Sequence, residues 1–213
     1  MDDRIAIGVP MPEGGPACGE ADLEGYVARI ELAAGTDRAV VREQPLPECD
    51  LPGQCSIFAT PDLNDDGRAE VAIEPTSWNS TAPFWLYRFD PRAPEASLRR
   101  LAIAPPGDPF NEEFGFPPGP ATFWWFGSVT HQHWLSCDED PGVFAAITVL
   151  RAYDDPDDPH VEDVHGVRFR MEGDLLVIES TWDKQIAEGT LVSPPDLCGA
   201  ALDPGDGDAQ VTI

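Results

Sequence analysis

Apolar and polar residues alternate with a period of two along much of this chain. In Tyr26-Val-Ala-Arg-Ile-Glu-Leu32, residues Tyr26, Ala28, Ile30 and Leu32 fall on one face. Arg29 and Glu31 fall on the other, which is the pattern of a half-buried strand. Arg38–Glu43 supplies a partner across the turn Ala34-Gly-Thr-Asp37. Further short strands are predicted at Ser56–Thr60, Glu70–Glu74, Phe84–Phe89 and Leu98–Ile103. Phe123–Val129, Val143–Tyr153, Val167–Met171 and Leu175–Thr181 complete the set. Val167, Phe169 and Met171 alternate with Arg168 and Arg170, and Glu172-Gly-Asp174 then reads as a hairpin turn. Two segments also suit helix: the alanine-bearing Val143–Tyr153, and Trp182–Glu188 as one helical turn.

The recurrence of short strands and Pro/Gly turns predicts an all-β fold. Residues 1–24 are rich in Pro and Gly and read as an irregular arm, leaving 25–213 as one β domain. Pro-rich breaks at Ala104–Pro109 and Pro117–Pro120 divide that domain near its middle. Each half has an acidic loop followed by an apolar strand, so 25–104 and 121–200 read as two pseudo-repeats. About ten strands are too few to close a propeller of four or more blades. The expected architecture is a small sandwich, a barrel or a propeller-like stack of antiparallel strands with long loops.

The balance of charge narrows the partners. A net charge of −26 excludes the positive field that nucleic acids and anionic membranes require. Lys184 is the only lysine. No apolar run approaches the ~20 residues that span a bilayer, so membrane insertion is not expected. Met1-Asp-Asp-Arg4 lacks the basic and hydrophobic regions of a secretory leader.

The candidate chemistry centres on Asp62-Leu-Asn-Asp-Asp-Gly-Arg-Ala-Glu70. Oxygen-bearing side chains at positions 1, 3 and 5 of a tight loop, with Gly at 6, wrap a hard cation such as calcium. An EF-hand would need a bidentate Glu at position 12, which here is Ile73, and helices on both flanks. Instead the last carboxylate is Glu70, at position 9, and a β run follows. This pattern resembles the calcium loop of FG-GAP/VCBS repeats, the blade motif of integrin-α-like propellers, over residues 55–90. The resemblance implies side-chain ligands from Asp62, Asn64, Asp66 and Glu70, and a backbone carbonyl from Arg68. Phe84-Trp-Leu-Tyr-Arg-Phe89 looks like the next strand of the same unit. The family more often has Asp where this chain has Glu70, and only one clean copy of the motif is present. The competing reading is a metal-free acidic turn, in which Asx side chains bond nearby backbone N–H groups.

Five cysteines are present. Cys49 and Cys55 bracket a Pro-Gly loop and suit a short disulfide, and Cys137 with Cys198 suits a long-range one. Cys18 is then left over, and its pairing with Cys49 or Cys55 is equally open from sequence. Disulfides and an acidic calcium-type loop together point to an oxidising, extracellular or cell-surface setting.

Other clusters carry less. His131, His133 and Cys137 have zinc-type chemistry but lack four well-spaced ligands. His160 and His165 fall in or beside the acidic stretch Asp154–Asp163, read as a solvated loop. Of the tryptophans, the neighbours Trp124 and Trp125 must point to opposite faces of a strand, leaving one exposed. Asn79-Ser-Thr81 matches the N-glycosylation acceptor pattern. No nucleophile elbow, zincin helix or phosphate-cradling loop is present.

The expected protein is therefore an exported, non-enzymatic interaction module with a structural calcium loop, its partner a protein or glycan. Two alternatives stand beside it. One is a carbohydrate-binding module using Trp124, Trp125 or Trp134, and the other is a hydrolase with a site of scattered carboxylates.

Overall fold

The computed structural model describes residues 4–8, 26–34, 38–46, 49, 55–75, 81–90, 98–105, 116, 118–126, 131–151, 161–187, 196–202 and 210–212. These residues form an all-β structure with no helix. Three strands, β1 (Arg4–Gly8), β2 (Tyr26–Ala34) and β3 (Arg38–Leu46), pair antiparallel in sequence order. The predicted Tyr26–Leu32 strand and its Arg38–Glu43 partner are both present. The N-terminal arm is not irregular throughout, however. Arg4–Gly8 gains order from two non-local partners, β2 on one side and the chain's last strand on the other.

The second sheet holds most of the chain. It runs through β4 (Cys55–Ala59), β5 (Glu70–Pro75), β6 (Thr81–Phe89), β7 (Leu98–Arg100), β8 (Ala102–Ile103) and β9 (Gly119–Pro120). It continues through β10 (Phe123–Phe126), β11 (His131–Cys137), β12 (Val143–Arg151), β13 (Val161–Glu172) and β14 (Leu175–Ala187). The spatial order is β4-β5-β6-β10-β11-β12-β13-β14-β8-β9, with β7 also on β6. A small hairpin of β15 (Asp196–Leu197) and β16 (Ala200–Ala201) follows, and β17 (Gln210–Thr212) returns to β1.

Leu98–Ile103 was expected as one strand. It is two, because the chain changes partners within it. Its first part pairs with β6, and its last part runs parallel to β14. Leu101 N–H donates to Leu86 O and Ala102 N–H to Asp174 O, so one short segment touches strands that lie far apart in the sheet order. The sheet consequently curls into a half-barrel. Trp182–Ala187 is strand, not a helical turn, because β13 offers a partner along its whole length, down to Val161↔Ala187. The same pairing places Val161–Asp163 in β13, outside any acidic loop. Val143–Arg151 is strand for the same reason, held between β11 and β13. The expected hairpin turn is formed, with Gly173 at φ +65° and Glu172 opposite Leu175.

The curl encloses an aromatic core. Phe84, Phe123, Phe144 and Phe169 are buried there with Trp125. Their rings meet in tilted and edge-on pairs, such as Phe123–Phe169 at 5.8 Å and 88°, the arrangement that ring quadrupoles favour. A second core lies on the other side of β4–β6 and includes Leu46, Ile57, Val71 and Ile73. β5 is therefore covered on both faces. Ala72 faces one core and Val71 and Ile73 the other, so the strand reads as continuously apolar after Glu70.

The two sheets are tied together near the second core. The Cys49–Cys55 disulfide joins the end of β3 to the start of β4. The Gln44 side chain adds a rung to β7, its Nε2 donating to Leu98 O at 2.7 Å and its Oε1 accepting from Leu98 N at 3.0 Å. Cys137–Cys198 is the second disulfide and fastens β11 to the β15–β16 hairpin. Both pairings are among those the sequence left open, and Cys18 lies outside the described residues.

Candidate metal centre

The 62–70 loop joins β4 to β5, and its mouth is shut by Glu70 N–H donating to Pro61 O at 2.7 Å. Inside it, polar side chains turn the backbone. Asp62 accepts from Asp66 N at 3.1 Å and from Gly67 N at 2.9 Å. Asn64 Oδ1 also accepts from Asp66 N, and Asp66 Oδ1 accepts from Arg68 N at 3.0 Å. Asp65 and Gly67 take positive φ, 54° and 77°, the left-handed conformation that Asp tolerates and Gly adopts freely. Local turn chemistry thus accounts for the shape of the loop.

Glu70 differs from the other predicted ligands. It stands at the first position of the doubly covered β5 and is 0% exposed. Its Oε2 accepts from Leu63 N at 2.8 Å. Its Oε1 is buried and has no hydrogen-bond partner among the described residues. Burial pushes its carboxyl up from 4.5 to about 7, against the lowering effect of the Leu63 N–H. Asp66 and Asp62 push the same way as burial, and the Arg88 guanidinium opposes them. Arg88 bonds Asp66 Oδ2 at 2.8 Å and so sets one positive charge at the rim of the loop.

The five predicted residues therefore share one loop, with the carboxylates of Asp62 and Asp66 exposed around its turn and Glu70 beneath it. Among the described residues, no three His, Cys, Asp or Glu side chains converge as a metal-binding group. Even so, the donors suit a hard cation: all are oxygens, and Glu70 Oε1 is a buried acceptor lacking a donor among the described residues. Such an oxygen costs roughly 1–3 kcal/mol when left unpaired.

A second acidic loop docks on the first. The turn Asp138–Gly142 joins β11 to β12, and Gly142, at φ +75°, donates its N–H to Leu63 O at 2.8 Å. Gly142 O in turn accepts from Met171 N at 2.7 Å. A chain of hydrogen bonds thus runs from the Glu70 carboxylate through the Leu63 and Gly142 peptides to β13. The pairing of these two loops was not visible in the sequence, because their contacts span about eighty residues of chain.

Other expected sites change under the structure. Cys137 is consumed by its disulfide, which removes it from a zinc set with His131 and His133. His133 Nδ1 instead meets Thr148 Oγ1 at 3.0 Å, and the His131 side chain is outside the described residues. His165 is not in a solvated loop; it lies on β13, with Nδ1 2.7 Å from Asp183 Oδ1. His160, Trp78 and Asn79 lie outside the described residues. Of the three tryptophans proposed as a sugar platform, Trp125 on β10 and Trp134 on β11 are 0% and 4% exposed and belong to the core. Trp124 is 46% exposed, as its neighbour's burial requires in a strand. No protein-family model, no curated protein and no solved structure matches this chain.

Proposed function

We propose that this chain is an exported or cell-surface, non-enzymatic interaction module whose 62–70 loop holds a structural calcium ion, in the manner of the FG-GAP/VCBS loops it resembles. The observation that carries the cation reading is the buried Glu70 Oε1, an acceptor with no donor among the described residues, beside a loop whose predicted ligands are all oxygens. Asp62, Asn64, Asp66 and Glu70 would hold the ion by side chain and Arg68 by its carbonyl. The ion would supply the positive charge that the clustered carboxylates lack, and no reaction is assigned to it. Two disulfides fit an oxidising compartment. The net charge of −26 disfavours nucleic acid and anionic lipid as partners.

Calcium at about 100 times its Kd should stabilise the fold by about 2.7 kcal/mol. In a chain of this length that raises the Tm by roughly 5–10 °C relative to chelator. Asp66→Ala should abolish the difference. Identical melting of the unmodified protein in calcium and in chelator would end the cation reading.

A further inference from the structure

A groove outside the acidic loop has the construction of a ligand site. It holds about 200 Å³ and lies on the face of β11–β14 where Ser136, Ala145 and Arg168 form one cross-strand row. The neighbouring row is Trp134, Ile147, Gly166 and Trp182, with Trp134 buried. Gly166 has no side chain, and a Cβ built there would land inside the Trp182 indole. One face of the indole therefore rests on the backbone of β13 while the ring borders the groove. Ile147 adds apolar lining, and Ser136, Asp138 and Arg168 add polar groups.

The polar side is held in place. Arg168 Nη1 lies 2.8 Å from Asp138 Oδ2 and its Nε 3.2 Å from Glu179 Oε2, with Asp140 at 3.8 Å. The guanidinium is fixed, and since Arg170 shares Glu179, three carboxylates face two guanidiniums and leave the cluster net negative. In a chain of net charge −26, that excludes a phosphate or other anion as the natural occupant. A wholly apolar occupant would strip water from Arg168, Asp138 and Ser136 without replacing their hydrogen bonds. A neutral ring with an apolar face and a hydroxyl-bearing edge meets both constraints.

We infer that this groove binds a neutral sugar, one pyranose face against Trp182 and its hydroxyls toward Ser136, Asp138 and Arg168. Its volume of about 200 Å³ equals that of about seven waters at ~30 Å³ each, enough to seat a single ring. The site is separate from the cation loop and does not rest on the calcium reading. It also differs from the Trp124, Trp125 and Trp134 platform that the sequence offered.

The test is isothermal titration of the whole chain with glucose, galactose, mannose, xylose, N-acetylglucosamine and their short oligomers, and with glucuronic acid. At least one neutral sugar should bind, and glucuronic acid should bind about tenfold or more weakly. Trp182→Ala should weaken the neutral sugar about tenfold or more. Since that change also removes packing, Ser136→Trp provides a second arm. Ser136 is exposed at the groove, so the larger side chain fills it without opening the core. It should abolish binding while far-UV circular dichroism and melting stay unchanged. No heat with any neutral sugar, or binding that survives Ser136→Trp in a folded protein, would overturn the assignment.

Discussion

In chelator, Glu70 should make this protein less stable as the pH rises from 4.5 to about 7. Burial beneath the loop lifts its carboxyl from 4.5 to about 7. Between those values the folded chain keeps a proton that the unfolded chain has released. The contribution to stability is complete below pH 4.5 and is lost as the pH rises through about 7. The displacement corresponds to about 3 kcal/mol, with each pKa unit taken as ~1.4 kcal/mol. For a chain of this length that is a fall in Tm of roughly 6–12 °C. The assay is thermal melting in chelator across that pH range, for the unmodified protein and for Glu70→Gln. The glutamine carbonyl can still accept the Leu63 N–H, but the side chain does not titrate. Carboxylates that do not interact with Glu70 titrate alike in both proteins and cancel in the difference. The gap between the two curves should therefore change by about 3 kcal/mol between pH 4.5 and about 8. A gap that stays constant within about 0.5 kcal/mol would show that Glu70 is not desolvated and would remove the observation on which the cation reading rests. Calcium should flatten the unmodified protein's curve, because a bound cation stabilises the charged carboxylate that burial penalises.

The remaining predictions concern the frame. Trp125→Ala should cost about 3–5 kcal/mol in chemical denaturation, because it empties a fully buried site, while exposed Trp124→Ala should stay within about 0.5 kcal/mol. Non-reducing peptide mapping should recover Cys49–Cys55 and Cys137–Cys198 as linked pairs. On loop-closure entropy, replacing the second pair by serine should cost about 4 kcal/mol and replacing the first about 2 kcal/mol, given loops of 61 and 6 residues. Equal losses would refute that entropic account. Gly166→Ala should destabilise by about 1–3 kcal/mol, since its methyl group displaces the Trp182 ring, and it should lower sugar affinity in the same titration.

The strands were legible because a period of two is a local property. Tyr26–Leu32 and Val167–Met171 each announce a strand without reference to any partner. The acidic loop was legible for the same reason: its spacing lies within nine residues, and Gly67 marks the turn. The alternation at Trp124 and Trp125 required that one be buried, but not which. That followed only from the curl, which turned Trp125 toward Phe58 and Phe84. The strand character of Arg4–Gly8 and of Trp182–Ala187 was hidden because it is conferred by partners distant in sequence or by a continuing neighbour strand.

By itself, then, the sequence determined the fold class, the strands of strong alternation, the acidic character and the oxygen-rich loop, all set by local geometry and composition. Tertiary structure decided the rest. It buried Glu70 at the head of a strand covered on both faces, which changes a surface carboxylate into a desolvated one. It set Gly142 against Leu63 and brought Ser136, Arg168 and Trp182 from three strands to one groove. Burial and convergence are properties of packing between distant segments, and no local pattern records them.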